Sequence, residues 1–426
     1  MVRLKRPFNE GDTVVVTPDE LGARGAALAL HEGWSVRVVG GLPGETARVR
    51  IVHVSKGGPV AEAKFLEVVG KSHPGRCPVR CPIHSRCGGC GLQHATAASM
   101  LVEKIDQARK ALPADVTWEE PVASQQAFGY RTKTFFLAEK GRFAVRSAGG
   151  RSLVDTRDCG VVTPALREAS NDILDSLLPR VPLRTVMLRA NRLGDVQATL
   201  VQAGAPTPEL LEAASDLPLD RVFVQQHDAP GNRIHSDEPE ILVKGPGPVV
   251  ESFAHGIESF VPPTAFCQGN PFVADAMYQH AASALTGDRI AEIYCGAGVA
   301  GLMALKLLPD ATLYAIDKSP RAIATALANA QRNQMVDRCV FEAKAAEDLP
   351  DTKWDSVLLN PPRAGCHASV LERVRASGAR RVVYMSCNPQ TLARDVERLG
   401  WRVMSVRAGD MFPQTPHLEL LVVLEP

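Results

Sequence analysis

From about residue 260 onward, short apolar runs alternate with stretches of helical period, and this alternation restricts the fold more than any other feature of the chain. Strands are expected at Arg289–Tyr294, Thr312–Ile316, Cys339–Ala343, Asp355–Leu359, Arg381–Met385, Arg402–Val406 and Leu418–Leu424, with helices between most of them. The runs are β-branched and nearly continuous in apolar character, as strands covered on both faces are, so the pattern predicts a doubly wound parallel α/β sheet. In such sheets ligands bind in the crevice outside the carboxyl ends of the strands. The residues immediately after each run are therefore the first place to look for chemistry.

Several of those ends carry unusual residues. The first strand runs into Tyr294-Cys-Gly296-Ala-Gly298-Val-Ala-Gly301, a G-x-G-x-x-G turn that lets a ligand approach the backbone closely. The second ends in Asp317, placed to accept hydrogen bonds from a ribose diol. Together they imply an adenosine-containing ligand, NAD or S-adenosylmethionine. The fourth ends in Asn360-Pro361-Pro362-Arg363, a stiff turn that fixes a polar side chain where a dehydrogenase needs none, which favours methyl transfer.

The fifth strand delivers Cys387 into the turn Ser386-Cys387-Asn388-Pro389. Carbon-5 of uracil is a poor nucleophile until a thiolate adds at C6, and Cys387 is placed to supply that thiolate. A base must then remove the C5 proton. Glu419 stands in an apolar run, where burial would raise its pKa to a useful value. Taken singly, Cys387 reads more readily as a small buried hydrophobe and Glu419 as a surface acid on an edge strand; each gains weight from the other.

The 426 residues imply two or three domains. A net charge of +1 neither requires nor excludes a nucleic-acid partner. Positive charge at Met1-Val-Arg-Leu-Lys-Arg-Pro7 is followed by no apolar run, and no segment of about 18 apolar residues occurs, so a cytoplasmic location without membrane partners is expected. Ten cysteines in that setting point to metal ligands or nucleophiles rather than disulfides. Four lie within fourteen residues in Cys77-x3-Cys81-x5-Cys87-Gly-Gly-Cys90, a segment too rich in Pro and Gly for a regular helix. A zinc knuckle and a [4Fe-4S] cluster are both compatible with that spacing, the latter allowing a distant ligand such as Cys159.

Residues 1–70 have the short, evenly spaced strands of a small β-barrel, expected at Asp12–Thr17, Trp34–Val39, Ala47–Val54 and Ala63–Val68. Between Tyr130 and Asp158, seven basic residues (Arg131, Lys133, Lys140, Arg142, Arg146, Arg151, Arg157) face three acids and interleave with Phe128, Tyr130, Phe135, Phe136 and Phe143. That composition suits single-stranded RNA, and it also suits a charged sheet with a buried aromatic face. A helix is expected from Thr163 with Pro164 at its first position, followed by a hairpin of Thr185–Ala190 and Val196–Gln202.

In these motifs the chain resembles the RNA (uracil-5-)-methyltransferases, specifically the iron-sulfur-containing 23S ribosomal RNA 5-methyluridine branch. Phe266-Cys-Gln268-Gly-Asn270 looks like the family's Phe-x-Gln-x-Asn segment, Tyr294-Cys-Gly296-Ala-Gly298 its glycine turn, Asn360-Pro-Pro-Arg363 its Asp-Pro-Pro-Arg, Ser386-Cys387-Asn-Pro its nucleophile loop, and Phe412-Pro-x-Thr-x-His417-x-Glu419 its base motif. Gly11-Asp-Thr-Val-Val and Gly41-Leu-Pro-Gly-Glu45 are similar to the TRAM module, an OB-like RNA-binding barrel.

The resemblance implies a TRAM-like barrel at 1–70, a central α+β iron-sulfur domain at 71–258, of which about 93–125 packs with the next domain, and a class I, Rossmann-like methyltransferase domain at 259–426. It implies Cys387 as nucleophile and Glu419 as base. Cofactor contacts would come from Gln268, Tyr294, Gly296, Gly298, Asp317 and Asn360, and RNA contacts from Arg131, Lys133, Phe266 and Arg363. A [4Fe-4S] cluster on Cys81, Cys87, Cys90 and Cys159 would leave Cys77 a bystander and serve a structural or RNA-orienting role. The implied protein is a monomer acting on 23S rRNA, with transfer RNA as the other substrate.

Two positions depart from the family pattern. Asn360 replaces its usual aspartate, and Asp317 what is more often glutamate. Asn-Pro-Pro is also the turn with which amino-group methyltransferases hold a planar NH2, which makes N-methylation the rival chemistry. An amine has a lone pair and needs no covalent activation, so Cys387 and Glu419 weigh against it. A catalytically silent RNA-binding or assembly protein is the alternative of a different class.

Overall fold

The computed structural model describes residues 6–139, 142–147, 150, 152–229, 234 and 236–426. Of the seven basic residues noted above, Lys140 and Arg151 lie outside the described residues, as does the N-terminal Met1–Lys5. The chain divides into two compact units, Met1–Ala114 with Phe412–Leu418, and Asp115–Met411 with Glu419–Pro426. No helix among the described residues is long and apolar enough to cross a membrane.

In the first unit six strands pair in the spatial order Thr13–Val16, Ala47–Val54, Val60–Val68, Trp34–Val39, Ala26–His31, Glu20–Leu21. The strand Trp34–Val39 alternates Trp34, Val36 and Val38 into a core shared with Val49, Ile51 and Phe8. Glu45 is fully buried, and its charge is met by the Arg76 guanidinium, which also donates to Gly40 O at 2.9 Å. A helix, Ala97–Arg109, follows the cysteine-rich segment. The stretch Phe412–Leu418 belongs to this unit: Leu92 N–H donates to Gln414 O (3.0 Å), and the buried Lys104 ammonium donates to the carbonyls of Phe412 (3.2 Å) and Pro413 (3.4 Å).

The second unit holds a seven-stranded sheet and an eight-stranded sheet. The seven-stranded sheet runs Leu153–Asp155, Arg142–Arg146, Lys133–Glu139, Thr185–Ala190, Val196–Gln202, Arg221–Gln226, Ile241–Lys244. The helix Pro164–Ser176 starts at Thr163 with proline at its first position and buries Leu166, Ile173 and Leu174 in the core of this sheet.

The eight-stranded sheet is built from α1 (Pro271–Ala284), β1 (Arg289–Ile293), α2 (Val299–Leu307), β2 (Thr312–Asp317), α3 (Pro320–Arg332), β3 (Cys339–Ala343), β4 (Ser356–Leu359), α4 (Ala368–Ala376), β5 (Arg381–Ser386), α5 (Pro389–Leu399), β6 (Arg402–Gly409) and β7 (Glu419–Glu425). Its order is β3-β2-β1-β4-β5-β7-β6, with Thr117–Trp118 beside β6. From β3 to β5 the strands are parallel, and β7 runs antiparallel between β5 and β6. Helices α1, α3 and α5 start alike, with Asn270, Ser319 and Asn388 as N-caps, each followed by proline, so the chain leaves the sheet at defined points.

Candidate active site

The turn after β1 is built for close approach. Tyr294 takes a positive φ of 63°, rare for a bulky residue, and Gly296 and Gly298 follow at 55° and 74°. Gly298 begins α2 in the left-handed conformation with no side-chain cap. A Cβ at Gly301 would sit 2.3 Å from Glu292 Oε2 and 2.7 Å from Leu313 Cδ2, so only glycine lets α2 lie this close to the sheet. Asp317, at the end of β2, accepts from Gly296 N–H (Oδ2, 3.1 Å) and Ser319 N–H (Oδ1, 2.9 Å). One lone pair per oxygen is used, leaving capacity for a diol. Asn360 N–H donates to Ile293 O at 3.2 Å, which holds the ends of β4 and β1 side by side at the point where strand order reverses.

Glu419 reaches the same edge through the antiparallel register of β7. Ser386 on β5 pairs with Leu420, so the next step along both strands sets Cys387 level with Glu419. Burial and the Glu419 charge push the Cys387 thiol above its ordinary value, while the charge and hydrogen bond of Arg363 act in the other direction. Burial likewise pushes Glu419 up to about 7, again opposed by Arg363. The two groups thus share one cation. Arg363 favours the charged form of both, and the Glu419 carboxylate disfavours ionisation of Cys387.

Arg131, Lys133 and Phe266 form a second group in the same unit. Thr132 N–H donates to Gly269 O (2.9 Å), tying the start of Lys133–Glu139 to the segment that carries Phe266 and Gln268. The Lys133 ammonium lies over the Phe266 ring, 5.1 Å from its centroid, and Arg189 Nη1 donates to Cys267 Sγ at 3.0 Å. Phe266 is 71% exposed, an unusual position for a large aromatic side chain. Burial lowers the pKa of Lys133 from its ordinary value. Gln268 is half-buried two residues before Asn270, whose side-chain oxygen accepts from Val273 N–H at the start of α1. The aromatics of the basic stretch divide: Phe136 and Phe143 stack at 4.9 Å inside the core and Tyr130 is buried, so these three rings cannot stack on bases, while Phe135 is exposed.

The cysteine-rich segment lies in the first unit and Cys159 in the second. Cys87 ends the single helical turn His84–Cys87, Cys81 N–H donates to Gln93 Oε1 (3.1 Å), and Cys159 N–H donates to Thr156 O (3.0 Å). All four candidate ligands are half-buried, and none of the ten cysteines is in a disulfide. Their thiols suit an iron-sulfur centre in kind, but among the described residues no three His, Cys, Asp or Glu side chains are gathered to hold a metal ion. The thiols are thus of the right kind without being gathered into a ligand set, and no chemical step below passes through a metal group.

Among the buried acids that sequence reading missed, Glu292 and Asp395 lie on elements of the eight-stranded sheet's domain. Glu292 on β1 is 2% exposed and is pushed up to about 8, mainly by burial and further by Asp317. Asp395 on α5 is fully buried beside Arg394. A signal for Asp395 exists in the sequence: Leu392, Asp395, Val396 and Leu399 share the buried stripe of α5, so an acid occupies an apolar position.

Residues 262–381 match the family described as methyltransferase small domain. Over nearly its full length the chain is similar to uncharacterized RNA methyltransferases: 31% identical to one from Gloeobacter violaceus (98% of this chain, 97% of the relative) and 30% to one from Thermosynechococcus vestitus (98% and 99%). Another, from Listeria monocytogenes, is 29% identical over 99% of both chains. Among solved structures, the tRNA (uracil-54, C5)-methyltransferase of Pyrococcus abyssi in complex with S-adenosyl-L-homocysteine shares the fold, with a TM-score of 0.80, 23% identity, and coverage of 97% of this chain and 100% of that one.

Proposed function

The chain belongs to the RNA methyltransferase family, and from that membership we propose that it methylates C5 of a uridine in RNA, with 23S ribosomal RNA as the substrate. The observation that carries this reading is the meeting of Cys387, Arg363 and Glu419 at one sheet edge. Cys387 adds as a thiolate to C6 of a uridine flipped out of an RNA loop, and the electron pair moves to C5. S-adenosylmethionine, when bound, supplies the electrophilic methyl group that C5 takes. Glu419 then removes the C5 proton, and elimination restores the C5–C6 double bond and frees Cys387.

Tyr294, Gly296, Gly298 and Asp317 seat the cofactor. Gln268 orients the pyrimidine or sulfonium region, and Asn360 or Arg363 holds the uracil edge. Arg131, Lys133 and the exposed Phe266 engage the RNA by charge and stacking, and the N-terminal sheet acts as a TRAM-like RNA-binding module. In this reading the protein acts as a cytoplasmic monomer.

Transfer RNA is the second substrate reading, favoured by the tRNA methyltransferase that shares the fold. Nucleoside mass spectrometry after incubation with S-adenosylmethionine and unmodified RNA separates the two. New 5-methyluridine in 23S rRNA is expected. Its appearance in transfer RNA alone moves the substrate to the second reading, and a methylated amine in place of 5-methyluridine overturns the proposal and makes Asn360 the better guide.

We further propose a [4Fe-4S] cluster on Cys81, Cys87, Cys90 and Cys159, with a structural or RNA-orienting role. Anaerobically purified protein is then brown and contains about four iron and four inorganic sulfide per chain. A colourless protein containing zinc refutes the assignment.

A further inference from the structure

Asp395 takes no part in the reaction as written, yet its carboxylate has a full set of partners. Oδ2 accepts from Tyr384 Oη and from the Cys366 N–H, both at 2.7 Å, and Oδ1 accepts from Arg394 Nε (2.9 Å) and Nη2 (2.7 Å). The same Arg394 Nη2 donates to Ala364 O at 2.8 Å. Asn388 Nδ2 and Thr391 Oγ1 both donate to Arg363 O at 3.2 Å. The backbone from Arg363 to Cys366 is therefore held at three positions, always by residues of the Cys387 turn or of α5. Gly365 takes φ 77°, and a Cβ there would lie 2.4 Å from Asp395 Oδ2 and 2.5 Å from Arg394 Nη2, so the close approach requires glycine. Tyr384 is three residues before Cys387 on β5 and is 1% exposed. Asp395 is thus the point at which the loop bearing Arg363 and the strand bearing Cys387 are fastened together.

We propose that Asp395 is a positioning residue that fixes the Arg363 loop against β5, so that the guanidinium stays aligned with Cys387 and Glu419. The proposal rests on reading Cys387 as the nucleophile, but its test does not depend on turnover. The charged groups facing Cys387 are Glu419, which disfavours its thiolate, and Arg363, which favours it. Loosening the loop weakens the second influence and leaves the first.

The test is alkylation of Cys387 by iodoacetamide as a function of pH, followed by peptide mass spectrometry, in the full-length protein and its Asp395→Asn, Arg363→Gln and doubly substituted forms. Cys366 does not interfere, because burial pushes its thiol up to about 12. Asparagine keeps the volume of Asp395 but sets an NH2 or a neutral oxygen against Arg394. Asp395→Asn is expected to move the Cys387 midpoint upward by roughly half a pH unit to one unit, slowing alkylation about three- to tenfold at a fixed lower pH. It should approach the shift of Arg363→Gln, and the double substitution should add nothing to Arg363→Gln alone. Affinity for S-adenosylmethionine stays within about twofold, while kcat on RNA falls about tenfold at unchanged KM.

Where Asp395→Asn does not fold, Tyr384→Phe, which removes one donor to the carboxylate, and Gly365→Ala, which drives a methyl group into it, are expected to shift the midpoint in the same direction. Folded Asp395→Asn protein that titrates like wild type, or shifts that add in the double form, would overturn the proposal; if Asp395→Asn does not fold, wild-type titration by both fallback variants would do so. Full methylation by Cys387→Ala protein would instead remove the nucleophile reading, and the thiol titration would still decide the role of Asp395.

Discussion

Replacing Cys387 by Ala is expected to lower kcat for RNA methylation by about 10^4-fold or more, about 5 kcal/mol or more in activation free energy, because in the proposed reaction C5 of uracil becomes nucleophilic only through the thiolate adduct. The fold should be little affected. Cys387 is half-buried in a turn after β5, so the change costs at most about 1 kcal/mol in stability. Binding of S-adenosylmethionine should persist, since the glycine turn and Asp317 belong to β1 and β2. Single-turnover assays with tritiated methyl donor, beside calorimetric titration of the cofactor, give both readouts. Methylation by the variant at more than a hundredth of the wild-type rate, with intact cofactor binding, would rule out covalent activation.

Replacing Glu419 by Gln should trap the reaction instead of preventing its start. With no base to take the C5 proton, the methylated adduct cannot eliminate, and a protein–RNA species stable to denaturing gel electrophoresis should accumulate while turnover falls about 10^2- to 10^4-fold. The substitution also removes the like charge that disfavours the Cys387 thiolate, so the adduct should form at least as readily as in wild type. Normal turnover with no adduct would mean that another group is the base. In wild type the proton-removal step should speed up as pH rises through about 7, where Glu419 becomes ionised.

Stability should move the other way. The folded-state value of Glu419, about 7, lies above that of an ordinary glutamate, so the folded chain favours the protonated form. This contribution is fully present below about pH 4.5 and is lost as pH rises to 7. Above pH 7 the loss is about 3 kcal/mol, and Glu419→Gln protein should be more heat-stable than wild type there, with the difference fading toward pH 4. Thermal melts at pH 5 and pH 8 read it directly.

The parallel half of the fold was legible because strands buried on both faces carry an uninterrupted apolar signal. Cys339–Ala343 falls where expected to the residue, and the other six strands within a few residues at either end. Ala26–His31, with the sequence Ala-Ala-Leu-Ala-Leu-His, was not expected as a strand, since alanine and leucine favour helix and only its partner Trp34–Val39 makes it extended. Period reveals that a strand exists and says nothing of its neighbours, so the place of β7 between β5 and β6 could not be read. The mixture of basic and aromatic residues around Lys133–Glu139 was ambiguous because a two-faced sheet produces the same alternation; Phe136 went inward and Phe135 outward. At the candidate site, the positions of residues were legible where a motif fixed them to a strand end. Asp395 was not, because its meaning comes from Tyr384 and Cys366, which only the fold brings to it.

The place of β7 has a consequence for the protein during its own synthesis. β5 and β6 leave the ribosome before β7 exists, yet they are not neighbours; each must keep an edge open for a strand made later. A nascent or prematurely terminated chain that stops before Glu419 exposes two unpaired edges, those of the apolar Arg381–Ser386 and of the mixed Arg402–Gly409, of the kind that pair with other chains. Such fragments would lack Glu419 as well as the strand that completes the sheet interior, and would be cleared as sticky intermediates before they could accumulate.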